Sequence, residues 1–96
     1  MELKVTDTFI EIDILVDGRK VGYAEVEPNK KELTRLEIWE PYQGIGYGKQ
    51  AVDMLISTYG IDNLWVKSDN DVAMHVYKKA GFEPAGERMY EMKLKQ

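Results

Sequence analysis

The chain has 96 residues, a formal charge of −4, 44% hydrophobic and 31% charged residues, and no cysteine, the composition of one ordinary globular domain (1–96) with a single modest core. The missing cysteines exclude disulfides, thiolate metal sites and a covalent cysteine mechanism. The acidic balance argues against a general nucleic-acid binder, no apolar run reaches membrane-spanning length, and Met1-Glu2-Leu3-Lys4 opens no signal-peptide pattern, so a cytoplasmic protein is expected.

Phe9 to Val16 is β-rich and partly alternating, and Lys20 to Val26 follows after Asp17-Gly18-Arg19, which predicts a hairpin closed by an Asp-Gly turn. A polar stretch, Glu27 to Glu32, leads into a third strand, Leu33 to Trp39, with Leu36 and Ile38 on one face and Arg35, Glu37 and Trp39 on the other. The run Gln43-Gly44-Ile45-Gly46-Tyr47-Gly48-Lys49 then joins this strand to a helix, Gly46 to Tyr59, whose Ala51, Leu55 and Tyr59 recur at four-residue steps beside Val52 and Ile56. A strand over Leu64 to Lys67 comes next. A second helix is announced by Ser68 and Asp71 at capping-box-like spacing and stopped by Gly81, with Val72, Val76 and Ala80 on one seam and Ala73 and Tyr77 on its neighbour. The tail, Phe82 to Leu94, reads as one bent strand or two short ones around Pro84 and Gly86.

A glycine-rich strand-to-helix turn is a place to hold a phosphate. The first N–H groups of a helix have no intrahelical partner and carry the positive end of its dipole, and glycines accept φ > 0 while letting a pyrophosphate approach the backbone. Lys49, Lys78 and Lys79 could surround such a ligand, although a solvated helix face is the commoner explanation for the latter pair. A nucleotide-triphosphate loop is excluded because Gly48-Lys49 is followed by Gln50 and not by Ser or Thr. A dinucleotide fingerprint is excluded because the glycines are spaced Gly-x-Gly-x-Gly.

The pattern that fits is Gln/Arg-x-x-Gly-x-Gly/Ala, present as Gln43, Gly46 and Gly48, and a second motif follows, Asn-x-x-Ala-x-x-x-Tyr-x-x-x-Gly-Phe, present as Asn70, Ala73, Tyr77, Gly81 and Phe82. In this order, with a strand between them, the two motifs resemble the GNAT superfamily of acyl-CoA N-acyltransferases over about Phe9 to Leu94. The resemblance implies an α+β, GNAT-like fold with a central mixed, mostly antiparallel sheet and two main helices. It implies an N-acetyltransferase that uses acetyl-CoA, without a metal, and passes the acetyl group directly to a primary amine, on a small molecule or a protein, in a ternary complex. A short member lacking the usual N-terminal strand-helix-helix segment is expected, since only Met1 to Asp7 precede the first clear strand. A non-catalytic CoA-binding or protein-interaction module is the alternative.

By the same resemblance the pantetheine arm runs against Leu36, Ile38 and Trp39, whose N–H groups would also polarise the acetyl carbonyl. The pyrophosphate lies on the amides of Gln43, Gly44, Ile45, Gly46, Tyr47 and Gly48 beside Lys49, and Asn70, Ala73 and Tyr77 complete the cofactor site. Tyr77 matches the family's general acid, which suits a phenol that is protonated at neutral pH; the other reading is a core tyrosine with a hydrogen-bonded hydroxyl. Glu37 is the first candidate for the base that deprotonates the amine, with Glu32 and Glu25 as alternatives. His75, the only histidine, reads as a surface residue, and no ligand set for a metal accompanies it. Trp39 and Trp65 are expected on one face of neighbouring strands. Loss of the front helices would leave one sheet face with less cover, and an exposed apolar sheet surface or an unpaired edge then predicts a homodimer.

Overall fold

The structure, a computed structural model, describes residues 1–5, 11–66, 71–84 and 90–94. In chain order the elements are β1 (Glu2–Val5), β2 (Glu11–Val16), β3 (Arg19–Glu27), a 3-10 turn (Pro28–Lys30), β4 (Glu32–Ile38), a second 3-10 turn (Glu40–Tyr42), α1 (Tyr47–Tyr59), β5 (Asn63–Val66), α2 (Asp71–Lys79), β6 (Phe82–Pro84) and β7 (Tyr90–Leu94). The strands form one sheet in the order β1-β2-β3-β4-β5-β7-β6, antiparallel except where β5 runs parallel to β4. That parallel step is bridged by α1, as a parallel pair requires.

The hairpin closes as expected: Asp17 and Gly18 sit at φ 51° and 77°, the two left-handed residues of a turn whose twist matches its strands, and Val16 pairs with Arg19. The tail resolves into two short strands, with Pro84 on the edge strand β6, where a missing N–H costs no ladder bond. Gly81, at φ 105°, ends α2. Lys67, Ser68 and Gly86, expected to end a strand, cap a helix and bend the tail, lie outside the described residues.

Two expectations need correction. Met1 to Asp7 was expected to precede the first clear strand, yet Glu2–Val5 is itself a strand, paired antiparallel with β2 from Glu2↔Leu15 to Val5↔Ile12. Residues 6–10, which link β1 to β2, lie outside the described residues. The second correction concerns the uncovered surface, which is charged. Cross-strand rows place Lys4, Asp13, Tyr23 and Glu37 side by side, and Glu11, Glu25 and Arg35 in the next row, all on one face of β1 to β4. The apolar surface from which a dimer was expected is therefore absent from that face.

The opposite face holds the core. Its rows are Val5, Ile12, Ala24 and Leu36, then Leu3, Ile14, Gly22 and Ile38. Ala51, Val52 and Leu55 of α1, Tyr77 of α2 and Phe82 of β6 join the buried members of these rows in one cluster. Two bulges set the phase. Val21 is the extra residue between the pairs Ile14↔Gly22 and Leu15↔Lys20, and Thr34 is the extra residue between Glu25↔Arg35 and Val26↔Leu33. Strict alternation would put Leu33 on the face opposite Leu36 and Ile38; the added Thr34 flips the parity and buries Leu33 in the core.

Candidate active site

The bulge at Thr34 also marks where β4 leaves its neighbour. The described pairs between β4 and β5 are Glu32↔Asn63 and Leu33↔Leu64, and none follows. A bulge bends its strand and sharpens the local twist, so β4 turns away from β5 at the residue where their ladder stops. On its other side β4 stays paired with β3 up to Gly22↔Ile38, and the approach there is close: a Cβ on Gly22 would lie 2.0 Å from the Glu37 carbonyl oxygen. The Glu37 carbonyl thus faces β3, and by the alternation of an antiparallel strand the amides and carbonyls of Leu36 and Ile38 face the gap. Gln43 Nε2 donates to the Ile38 carbonyl at 2.7 Å, which ties the glycine loop to the end of β4.

The loop opens a helix end that nothing caps. Gly44 and Gly46 lie at φ 80° and 92°, a region costly for side chains with a Cβ, and Gly46 is the N-cap of α1 with no side-chain hydrogen bond to the first turn. The first helical bond at this end runs from the Gln50 N–H to the Gly46 carbonyl at 3.1 Å, so the N–H groups of Tyr47, Gly48 and Lys49 are left for a ligand. No acidic residue occupies the first turn to compensate the dipole. These are the requirements of a pyrophosphate site, and the residues present fit that group. Lys49 is turned along the helix to Asp53, 2.7 Å away, and Lys78 and Lys79 sit in the last turn of α2, where they complement the dipole.

Between the β4 edge and α2 lies a cleft of about 380 Å³ lined by Leu36, Glu37, Ile38, Gln43, Gly44, Gly48, Val72, Ala73, Val76 and Tyr77. Seven of these are residues singled out for the cofactor: Leu36, Ile38, Gln43, Gly44, Gly48, Ala73 and Tyr77. Val72 and Val76, read from sequence as a packing seam, are cleft walls, and Val72 is 73% exposed. A Cβ on Gly48 would meet the Val76 methyls at 3.7 Å, an ordinary contact distance across the cleft. Asn70 lies outside the described residues.

Tyr77 is buried and stands edge-on to Phe82, with ring centroids 6.2 Å apart. It is both a core residue and a cleft residue. Burial pushes its phenol up to about 12, so the ring keeps its proton across the physiological range.

The face behind the gap is polar. Glu37 is exposed there beside Arg35, whose Nη1 donates to the Tyr23 hydroxyl at 3.4 Å. Tyr23 above all, then Glu25 and more weakly Glu37, raise the guanidinium's pKa against a small opposing desolvation. Glu25 is fixed by Thr34, whose hydroxyl donates to its carbonyl at 3.0 Å. Glu32 is at the start of β4, five positions before Glu37, and accepts from the Trp65 indole at 3.3 Å. Trp39 does not join the cofactor edge: its N–H donates to the Val21 carbonyl at 2.9 Å, and Lys20, paired with Asp13 at 2.8 Å, lies 5.5 Å from its ring. An amide committed to β3 cannot polarise an acyl carbonyl in the gap. The two tryptophans stand at opposite ends of β4 and form no common slot. His75 is exposed on α2, and no metal-binding group of side chains occurs among the described residues.

The missed contributor is Gly22. An isolated glycine inside a strand pattern is a signal for a close backbone approach, and here it lets β4 lie close against β3 beside Glu37 and Ile38.

Comparison with known proteins is consistent with this geometry. An uncharacterized N-acetyltransferase of Halalkalibacterium halodurans is 37% identical over 70 residues, covering 72% of this chain and 39% of its own. The spermidine N(1)-acetyltransferase of Escherichia coli is 35% identical over 86 residues, covering 78% of this chain and 46% of its own. The chain spans less than half the length of either relative. Among solved structures, the PaiA N-acetyltransferase of Thermoplasma acidophilum in complex with coenzyme A superposes with a TM-score of 0.68 at 24% identity, over 90% of this chain and 60% of that one. The model of the Acetyltransferase (GNAT) family matches residues 4–82, and the chain belongs to that family.

Proposed function

We propose that the chain transfers an acetyl group from acetyl-CoA to a primary amine by direct attack within a ternary complex, in the cytoplasm. One observation carries this reading: a strand edge left open by a bulge meets an uncapped, glycine-built helix N-terminus in a single cleft. The solved relative that holds coenzyme A supports it.

When bound, acetyl-CoA supplies an activated acyl group. The chain's own residues would do the rest. The amides that open α1 would hold the pyrophosphate, and the backbone groups of Leu36 that face the gap would orient the pantetheine arm. The Ile38 N–H, fixed before the reaction begins, donates to the acyl oxygen as charge gathers there. Tyr77 holds the proton that the leaving sulfur needs, and burial keeps that proton in place. Glu37, on the polar side of the gap, takes the proton that an ammonium acceptor must lose before nitrogen can attack.

Titration calorimetry with CoA tests the reading first: binding is expected, and none at millimolar ligand removes the acyltransferase assignment. The short span between β1 and β2 favours a second reading, a reduced domain that binds CoA without turning it over. CoA binding together with no acetylation of any amine or protein lysate would select it.

A further inference from the structure

The two edges of the sheet are unlike. β6 is three residues long and ends in Pro84, whose nitrogen has no hydrogen to offer a further strand, whereas β1 has no proline and pairs with β2 alone among the described strands. Which of its groups point outward follows from the ladders. The Trp39 N–H donates to the Val21 carbonyl and the Glu37 carbonyl also faces β3, so Val21 and Tyr23 direct their backbone groups to β4. By the alternation of antiparallel strands, Gly22 and Ala24 direct theirs to β2, Asp13 to β1 and Lys4 back to β2, which aims the N–H and C=O of Leu3 and Val5 out of the sheet. The side chains are sorted as well. Glu2 and Lys4 stand exposed on the polar face, and neither belongs to an ion pair among the described residues; Asp13, the cross-strand neighbour of Lys4, is taken by Lys20. Leu3 and Val5 stand on the helix face, where Leu3 packs against the core and Val5 is 49% exposed.

An open strand edge is a template for another strand, and a lysine on it ordinarily discourages pairing. Here a glutamate stands two positions away on the same face. When a second copy of β1 adds antiparallel about a two-fold axis normal to the sheet, the helix faces of both copies lie on the same side, so each residue opposes one of its own parity. A register centred on Glu2 sets Glu2 against Glu2, and one centred on Lys4 sets Lys4 against Lys4. A register centred on Leu3 sets Glu2 of each copy against Lys4 of the other, exchanges the Leu3 backbone bonds between copies, and covers the exposed Val5 with Met1. We propose that the chain forms a homodimer through β1 in the register centred on Leu3, joining two sheets edge to edge. The occupant is a second copy because the strand complements itself in charge and in apolar side chains. So short a ladder buries less than a standard interface, which makes the association weak and reversible. The contact is separated from the cofactor cleft by β2 and β3 and does not depend on the acetyltransferase reading.

Sedimentation equilibrium of the intact chain from about 10 µM to about 1 mM decides the matter, with a monomer–dimer equilibrium expected that added salt weakens. Glu2→Lys and Lys4→Glu each set like charges opposite one another and should raise the dimer dissociation constant roughly tenfold or more. The double variant, carrying both substitutions, should return it to the wild-type value. Mixing the two single variants is a further check: one strand then carries only lysine charges and the other only glutamate charges, so a heterodimer should form at concentrations where neither variant pairs with itself. Melting temperatures measured in dilute solution should match the wild type for all three variants, which separates loss of the contact from loss of the fold. A monomer throughout the range, a dimer that neither charge reversal weakens, or single-variant losses that neither the double variant nor the mixture recovers would overturn the proposal.

Discussion

β4 has two faces with opposite chemistry, and the contrast between them organises the molecule. Toward the helices, Leu33, Leu36 and Ile38 line the core and the cofactor cleft, where position is enforced by packing and by a buried phenol. Toward the other side, Arg35 and Glu37 sit among carboxylates and a tyrosine on a surface that no described helix covers, where position is set by charge and hydrogen bonds. The two environments meet only along the gap between β4 and β5. The acetyl transfer proposed above, which must keep a thioester away from water while admitting a charged amine, needs both, separated by one strand.

The largest expected effect tests whether the covered face does chemistry or only packing. Tyr77→Phe keeps the edge-on contact with Phe82 and removes only the phenolic proton. As general acid, Tyr77 should leave a variant whose kcat falls by roughly 10- to 10⁴-fold with CoA affinity nearly unchanged. Preserved turnover, with a stability loss of about 0.5–1.5 kcal/mol, would return the residue to the core.

The same burial has a consequence for stability. Tyr77 titrates near 12 in the folded chain against 10 when unfolded. Above pH 10 the unfolded chain loses a proton that the folded chain retains, so folding stability is unaffected below pH 10 and falls as pH rises from 10 to 12. The full loss is roughly 3 kcal/mol, and Tyr77→Phe should remove it. Urea unfolding of both proteins across this window measures the difference; parallel curves would show that the phenol is not desolvated.

The covered face was the more legible of the two in sequence, for a physical reason. Its signals are local: Asp17-Gly18 for a turn needing two positive φ angles, Gln43 to Gly48 for a strand-to-helix anion loop, Gly81 for a helix stop. The bulge at Thr34 is not local, because which residue is extra depends on the partner strand, and so the place of Leu33 in the core could not be read from its own neighbours. β1 escaped notice because four residues with Leu3 and Val5 alone on the inner face carry almost no period. The open face is written almost entirely in pairs distant along the chain, such as Trp65 with Glu32 and Arg35 with Tyr23, and single residues there looked like ordinary solvent-facing charge.

Gly22 stands at the seam between the two environments, and a methyl there tests what keeps the gap open. A Cβ 2.0 Å from the Glu37 carbonyl, with the Ile38 Cα at 2.9 Å, leaves no solution except movement of β4 away from β3 and into the gap. Gly22→Ala should cost about 1–3 kcal/mol, the range for overpacking, and lower the melting temperature by several degrees. It should also weaken CoA binding, because the displaced edge is the one that would meet the pantetheine arm. A variant with wild-type melting and wild-type CoA affinity would show that β4 takes its position from elsewhere.

The smallest effect separates two glycines of one loop that look alike in sequence. Gly46 caps α1 at φ 92° with nothing near its missing Cβ, so a side chain there meets no clash and suffers only the backbone penalty. Gly48 is inside the helix at an ordinary φ, with the Val76 methyls at 3.7 Å, a distance at which a methyl group is simply in contact. Gly46→Ala should therefore cost about 1–2 kcal/mol, the left-handed penalty for an L residue, and loosen CoA by disturbing the amides that open the helix. Gly48→Ala removes a flexible residue from a helix interior and should be neutral or stabilise by up to about 1 kcal/mol. Chemical denaturation and CoA titration of both variants give the comparison. Equal losses would mean that the loop is held by contacts to its side chains, whereas a loss confined to Gly46→Ala would assign the anion site to backbone conformation alone.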